Sequence, residues 1–352
     1  MEKASIRFYE VKKCGLYKPN ARHASLGSFL AITDNIFNWS HAANRLVQST
    51  CTYEVDGDFE MDFLETYLAS IKKDNSSGDF ILTTWNRTHD SGDSVYALDP
   101  SATVDSITSN TFHRGNLPAT SIPGYATYFW LMPSLNTMAT ITFGSPRSGM
   151  SPFSYWLESF INVESRYCRR SDSGDEILGY AEADNPPDSE LEARFIRVLH
   201  KNPAKRQMII ANRSRIKRII KRVKLDRAQI VHSGAIDNLA KLLGIDRHPE
   251  ITSSELPLTY ELGYTPTEEQ LEEIISAYEN SNTKTNWEDV GFVFPKKNSF
   301  GANEKEWLSK SFAKTNINLQ VDWVVPGQLI NTQNLLEIIQ QRRSELVRIL
   351  NS

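Results

Sequence analysis

The sequence predicts an α+β protein of mixed antiparallel sheets with packed helices. Two apolar, strand-forming runs, Tyr128–Met132 and Thr137–Phe143, are separated only by Pro133-Ser134-Leu135-Asn136, the spacing of a hairpin. Helical signatures stand elsewhere, with a proline at the first helical position in one segment and a capping box in another. The chain has 352 residues, 40% hydrophobic and 23% charged, which suffices for about two domains with a well-buried core. No internal repeat is visible.

In order, Ser5–Val11 alternates as a first strand, and Leu26, Phe29 and Leu30 suggest a short helix over 25–33. Thr52–Val55 reads as a strand ending at Asp56-Gly57. Phe63, Leu64, Tyr67, Leu68 and Ile71 give residues 59–73 the spacing of an amphipathic helix. Phe80–Trp85 and Ser94–Leu98 follow as strands. After the hairpin comes Gly144-Ser145-Pro146-Arg147-Ser148-Gly149, then a helix capped by Ser151 with the stripe Phe153, Trp156, Leu157, Phe160 and Ile161. Backbone N–H groups of such a loop suit a phosphate, with Ser145, Arg147 and Ser148 as its candidate contacts. The Gly-Lys-Ser/Thr signature of a P-loop is missing, and a plain structural turn is the simpler reading of the loop.

Residues 171–192 carry eight acids and Pro186-Pro187, the composition of an exposed linker. They divide the chain into an N-terminal α+β domain (1–170), the acidic linker (171–192), a second α+β domain (193–290) and a terminal strand-and-helix segment (291–352). Ala193–Leu199 alternates as a strand. Gln207–Ile210 is an apolar run leading into the most unusual stretch of the chain.

Between Lys201 and Arg227 there are 11 Lys or Arg and one acid, Asp226, in a chain whose net charge is −4. Read as a helix capped by Asn212, residues 213–224 place Ile216, Ile219, Ile220 and Val223 on one narrow stripe. Arg215, Arg218 and Arg222 then lie opposite it, flanked by Arg213, Lys217, Lys221 and Lys224. Cations at i, i+3 and i+4 repel one another, so such a helix favours a polyanion beside it. Together with Lys205 and Arg206 these seven form the candidate nucleic-acid-binding set; a solvated charged face is the competing reading. A helix-turn-helix is excluded. The connection Leu225–His232 is too long, and the next helix, capped by Ser233 and ending at Gly244, has only Lys241 as a cation. Thr265 and Glu268 read as a capping box before a helix with Leu271, Ile274, Ile275 and Tyr278 inward. Gly291–Phe294 and Asn318–Val325 are expected strands. Thr332–Leu350 is an expected helix whose stripe, Leu335, Ile338, Ile339, Leu346, Ile349 and Leu350, either folds back on the core or meets a second copy.

No specific catalytic motif is present. The seven histidines show no i, i+4 pair, and Gly-x-Ser-x-Gly is missing. His89-Asp90-Ser91-Gly92-Asp93 and Asp188-Ser189-Glu190 offer metal-binding atoms, but no Glu-x-Lys or Asp-x-Lys follows the second pair on the next strand. No catalytic residue, metal or cofactor is therefore expected. Cys14, Cys51 and Cys168 are far apart and odd in number, which predicts reduced, buried thiols. With no apolar leader and no long apolar run, a cytoplasmic location is expected.

Three segments, SIRFYEV, ITFGSPRSGM with its aromatic-rich helix, and MIIANRSRIKRIIKRV, occur in the order seen in RexA, the exclusion proteins of lambda-type prophages. The chain resembles that family over roughly its first two thirds, and more remotely the RdgC nucleoid proteins. The resemblance implies a globular part with a second, mobile domain, a homodimer, sequence-nonspecific binding of double-stranded DNA, and action in phage exclusion or anti-phage defence with a membrane partner protein. It carries Arg215, Lys217, Arg218, Lys221 and Arg222 over as DNA-facing. The alternatives are a metal-dependent nuclease effector and a protein-binding scaffold.

Overall fold

The computed structural model of the protein describes residues 1–55, 64–89, 95–114, 118–144, 148–183, 185–200, 203–226, 255–280, 289–295, 304–308 and 312–350. In chain order they form β1 (Glu2–Tyr17), α1 (Phe29–His41), β2 (Thr66–Lys73), β3 (Phe80–Arg87), β4 (Tyr96–Leu98), β5 (Phe112–Arg114), β6 (Ile122–Met132), β7 (Thr137–Phe143), α2 (Met150–Val163), β8 (Cys168–Arg170), β9 (Ile177–Tyr180) and β10 (Glu192–Leu199). There follow α3 (Pro203–Ala211), β11 (Arg218–Asp226), β12 (Glu255–Leu262), α4 (Glu268–Asn280), β13 (Asp289–Phe294) and β14 (Glu304–Trp307). Last come β15 (Lys314–Leu319), β16 (Trp323–Val325), β17 (Leu329–Ile330), α5 (Thr332–Gln341) and α6 (Arg343–Arg348). Every ladder between these strands is antiparallel, and the protein is α+β. It divides into two compact units, Met1–His200 with Ala313–Leu350, and Lys201–Phe312.

The first unit is organised by β1, long enough to pair with β7 over Ala4–Glu10, with β10 over Tyr9–Tyr17 and with β15 over Glu2–Arg7. The main sheet runs β10-β1-β7-β6-β3-β2. Its strands are apolar on both faces, so each face needs a cover. Along β6, Phe129 and Leu131 turn to one core with Ile32 and Ile36 of α1 and Phe153, Trp156 and Phe160 of α2. Tyr128, Trp130 and Met132 turn to a second core with Leu335, Leu336 and Ile339 of α5 and Leu346 of α6. The second unit has its own sheet, β12-β11-β13-β14, with a core in which Ile219 and Phe292 meet Leu271 and Ile275 of α4 and Ile209 of α3.

The β6–β7 hairpin forms as its spacing predicts, closing through a short 3-10 turn and a left-handed Asn136 (φ 45°). The helical spacing over 59–73 does not give a helix: residues 66–73 are β2, and 56–63 lie outside the described residues. A bulge at Ala69 shifts the β2–β3 register, which breaks strict alternation and leaves Tyr67, Leu68 and Ile71 buried together. Asp74 sets the turn, its Oδ2 accepting from Ser77 N (2.7 Å) and from the hydroxyls of Ser76 (2.6 Å) and Ser77 (2.8 Å). Thr52–Val55 is not a strand. The helix expected at 25–33 starts at Phe29, with Ser28 accepting from Ala31 N. The helix expected from Ser151 begins at Met150 after a left-handed Gly149 (φ 62°). Asn318–Val325 is split between β15 and β16.

The acidic stretch 171–192 lies inside the first unit. It contributes β9, which pairs with β8, and a bridge between Tyr180 and Asp188. The terminal helix is broken at Arg342 into α5 and α6, and its stripe folds back: Leu335, Leu336, Ile339, Leu346 and Leu350 are buried in the second core. That spends on the chain itself the surface that suggested a dimer. The helix expected from Ser233 lies outside the described residues.

Candidate nucleic-acid interface

The basic stretch is not a helix. Residues 203–211 form α3, Arg213–Arg215 a single 3-10 turn, and Arg218–Asp226 the strand β11, paired with β12 on one side and β13 on the other. The reason lies in the stripe itself. Ile216, Ile219, Ile220 and Val223 are all β-branched, stiff at χ1 and better placed on a pleated surface than in a crowded helix. In a strand Ile219 and Ile220 point to opposite faces, and both are buried, at 8% and 2% exposure. The helical grouping of the cations dissolves with the helix.

The nine candidate cations meet different fates. Arg206 lies 3.8 Å from Glu272, Arg213 3.4 Å from Glu268, and Arg218 2.6 Å from Glu261. Arg215 is tied locally, donating to Asn212 Oδ1 (3.2 Å) and to the Pro295 carbonyl (3.4 Å). The Arg222 guanidinium stacks 4.0 Å from the centre of the Trp307 ring. Lys217 and Lys221 are exposed, and among the described residues neither makes an ion pair. The backbone places Lys205 on α3 and Lys224 on β11.

The acids that neutralise the arginines come from α4 and β12, far along the chain. The second unit, Lys201–Phe312, holds 18 Lys or Arg and 15 Asp or Glu, so the positive run is offset within the same fold. The capping pair of α4 is Thr267 and Gln270: Gln270 N donates to Thr267 Oγ1 (3.3 Å) and Thr267 N to Gln270 Oε1 (2.9 Å). Thr265, expected as the cap, donates to the Ile216 carbonyl (2.7 Å) and pins residues 264–265 beside the start of β11.

Along β12, Tyr260 sits directly across from Lys221 and Leu262 across from Ile219. Tyr260, Leu262 and Tyr264 are large, apolar and exposed, at 49%, 64% and 38%. Sequence reading passed over them, although Leu258, Tyr260 and Leu262 repeat at every second residue before Gly263.

Of the candidate phosphate loop, Ser145 and Arg147 lie outside the described residues. Ser148 stands at the head of α2, where its Oγ accepts from Met150 N (3.4 Å). Asp188 and Glu190 face Lys18, at 3.6 and 4.0 Å, and Asp188 Oδ1 accepts from Glu190 N (2.9 Å), the geometry of a turn. Among the described residues no group of three or more His, Cys, Asp or Glu side chains is placed to hold a metal ion. Burial pushes the thiols of Cys14, Cys51 and Cys168 up, which disfavours the thiolate. No helix among the described residues is long and apolar enough to cross a membrane. No known protein family matches the chain, and no curated protein is significantly similar to it.

Proposed function

We propose that the protein binds DNA without reading its sequence, the cations of residues 205–224 contacting phosphates of the duplex. The observation that carries this reading is the concentration of 11 Lys or Arg between Lys201 and Arg227, with Lys221 on β11 and Lys217 just before it exposed and in no ion pair among the described residues. Ammonium groups on flexible stems suit phosphate oxygens better than chosen base edges. The likeness of three segments to RexA-type proteins supports placing that activity in phage exclusion or defence, in a homodimer with a membrane partner.

The test is fluorescence polarisation of the full chain with a labelled duplex across a salt series. With three arginines held by glutamates, about two to four phosphates are neutralised, giving a log K against log salt slope of about −2 to −4. Lys217→Gln with Lys221→Gln flattens it by about 2. A slope and affinity unchanged in the folded double variant overturn the reading.

A second reading has its own support. The pairs Arg206–Glu272, Arg213–Glu268 and Arg218–Glu261 show the run serving as a scaffold for its own fold. Failure to hold any nucleic acid at low salt favours that scaffold, with an acidic protein as its partner.

A further inference from the structure

Resting on the DNA-binding reading, we infer that the exposed residues Tyr260 and Leu262 of the β12 edge and Tyr264 just beyond it, with Lys221 and Lys217 beside them, are a platform for single-stranded DNA. The row is ordered by the sheet. Lys221 pairs with Tyr260 and Ile219 with Leu262, so continuation of the register sets Lys217 next to Tyr264. The Thr265–Ile216 hydrogen bond (2.7 Å) holds that end of the chain in place beyond the last ladder pair. Side chains two apart on a strand share a face, so Tyr260 and Leu262 line one side of the sheet, with Tyr264 two residues beyond the end of β12. Directly opposed residues have Cβ atoms about 5 Å apart, so the Lys221 side chain starts beside that of Tyr260.

The chemistry of the row selects the ligand. A ring half in water offers a stacking face to an unpaired base, and an adjacent ammonium offers a partner to its phosphate. A duplex keeps its bases stacked on each other and presents no such face. Three of the acids of this region are already engaged. Glu261 lies between Tyr260 and Leu262 in sequence, projects from the opposite face and is held by Arg218 (2.6 Å); Glu268 and Glu272 are engaged by Arg213 and Arg206. Among the described residues, Lys217 and Lys221 thus make no ion pair, and both are exposed beside the tyrosines. Apart from the phenol oxygens, no side chain of the row offers an acceptor to a ribose 2′-hydroxyl, and Leu262 favours the more apolar deoxyribose.

The experiment compares a labelled oligo-dT of 15 nucleotides, the same length of oligo-rU and a hairpin duplex, using the full chain and Tyr260→Leu/Tyr264→Leu. These side chains are exposed, so the double variant keeps its thermal unfolding profile. It loses oligo-dT affinity by roughly 5- to 150-fold per stacked base and keeps duplex affinity. Cross-linking of 5-iododeoxyuridine-substituted oligo-dT maps to Tyr260 or Tyr264. Unchanged oligo-dT binding by the folded variant, tighter binding of oligo-rU than oligo-dT, or cross-links confined to other residues overturns the platform while leaving phosphate binding by the lysines standing. An unaltered chain that holds neither oligo-dT nor duplex at low salt overturns the DNA-binding reading, and the platform with it.

Discussion

The two sheets manage their edges in opposite ways. In the first unit both ends of the main sheet are closed by side chains. On β2 the Leu68 N–H donates to Thr50 Oγ1 (2.7 Å) and the Ile71 N–H to Asp105 Oδ1 (3.0 Å), and on β10 the Phe195 N–H donates to Glu158 Oε2 (2.7 Å). Both faces of that sheet are buried under helices. In the second unit β12 ends the sheet, no strand among the described residues pairs with its outer side, and it carries tyrosine and leucine in water. An open edge is a hazard that folds ordinarily blunt. The closed sheet is a scaffold, and on the DNA-binding reading the edge of the other is a surface.

The scaffold side of the comparison is broken most severely at Asp79. Its side chain is wholly buried, accepting from Trp130 Nε1 (3.0 Å) and Gln340 Nε2 (3.1 Å) and from Arg343 through Nε (2.7 Å) and Nη2 (3.2 Å). Arg343→Ala leaves a buried carboxylate without its countercharge, and the first unit is expected to lose about 3–5 kcal/mol in urea unfolding. Because Asp79 ties the β2–β3 turn to α6, the loss is accompanied by protease cleavage after about residue 341. Leu335→Ala, fully buried in the core under α5, costs about 2–5 kcal/mol by the same measurement. A loss below 1 kcal/mol in both variants means that the C-terminal helices are not part of the scaffold.

The closed edge is tested one step lower. Thr50 is fully buried, donating to the Val47 carbonyl (2.6 Å) while accepting from Leu68 N. Thr50→Val keeps the shape and removes both bonds, leaving a buried N–H unpaired at about 1–3 kcal/mol. Hydrogen exchange reads the same change locally, through faster exchange of the Leu68 amide. Exchange at the wild-type rate means that the cap does not close the edge.

How much of this was legible in the sequence follows from the range of the interactions. The hairpin at 126–143 and the α2 stripe were readable because adjacent residues fix them: Pro133 to Asn136 sets the turn, and Phe153, Trp156 and Phe160 repeat within one segment. The basic segment was misread as a helix because four β-branched residues happen to fall at i, i+3, i+4 and i+7; what decides for a strand is pairing with β12 and β13, which no local window contains. The neutralising glutamates were invisible for the same reason, since Arg218 meets Glu261 and Arg213 meets Glu268 across long separations. The bulge at Ala69 hid β2 by breaking its alternation. Of the candidate site, the location of the charge was legible and its geometry was not.

The smallest effect bears most directly on what the surface is for. The Arg218–Glu261 pair is exposed at 42% and 38% of its side chains, so its contribution to stability is about 0.2–1 kcal/mol, and Glu261→Gln leaves the unfolding curve almost unmoved. Its effect on binding is separable from that. If β11 meets a polyanion, Glu261 and the ligand compete for the same guanidinium, and Glu261→Gln frees one cation. Affinity for duplex then rises a few-fold at low salt, and the salt slope steepens by about 1. Glu268→Gln releases Arg213 in the same way. Should the strand instead serve as a scaffold, the same substitutions lower stability slightly and change no salt slope. Two conservative exchanges at exposed positions therefore separate a cation held in reserve for a phosphate from a cation already at rest with its glutamate.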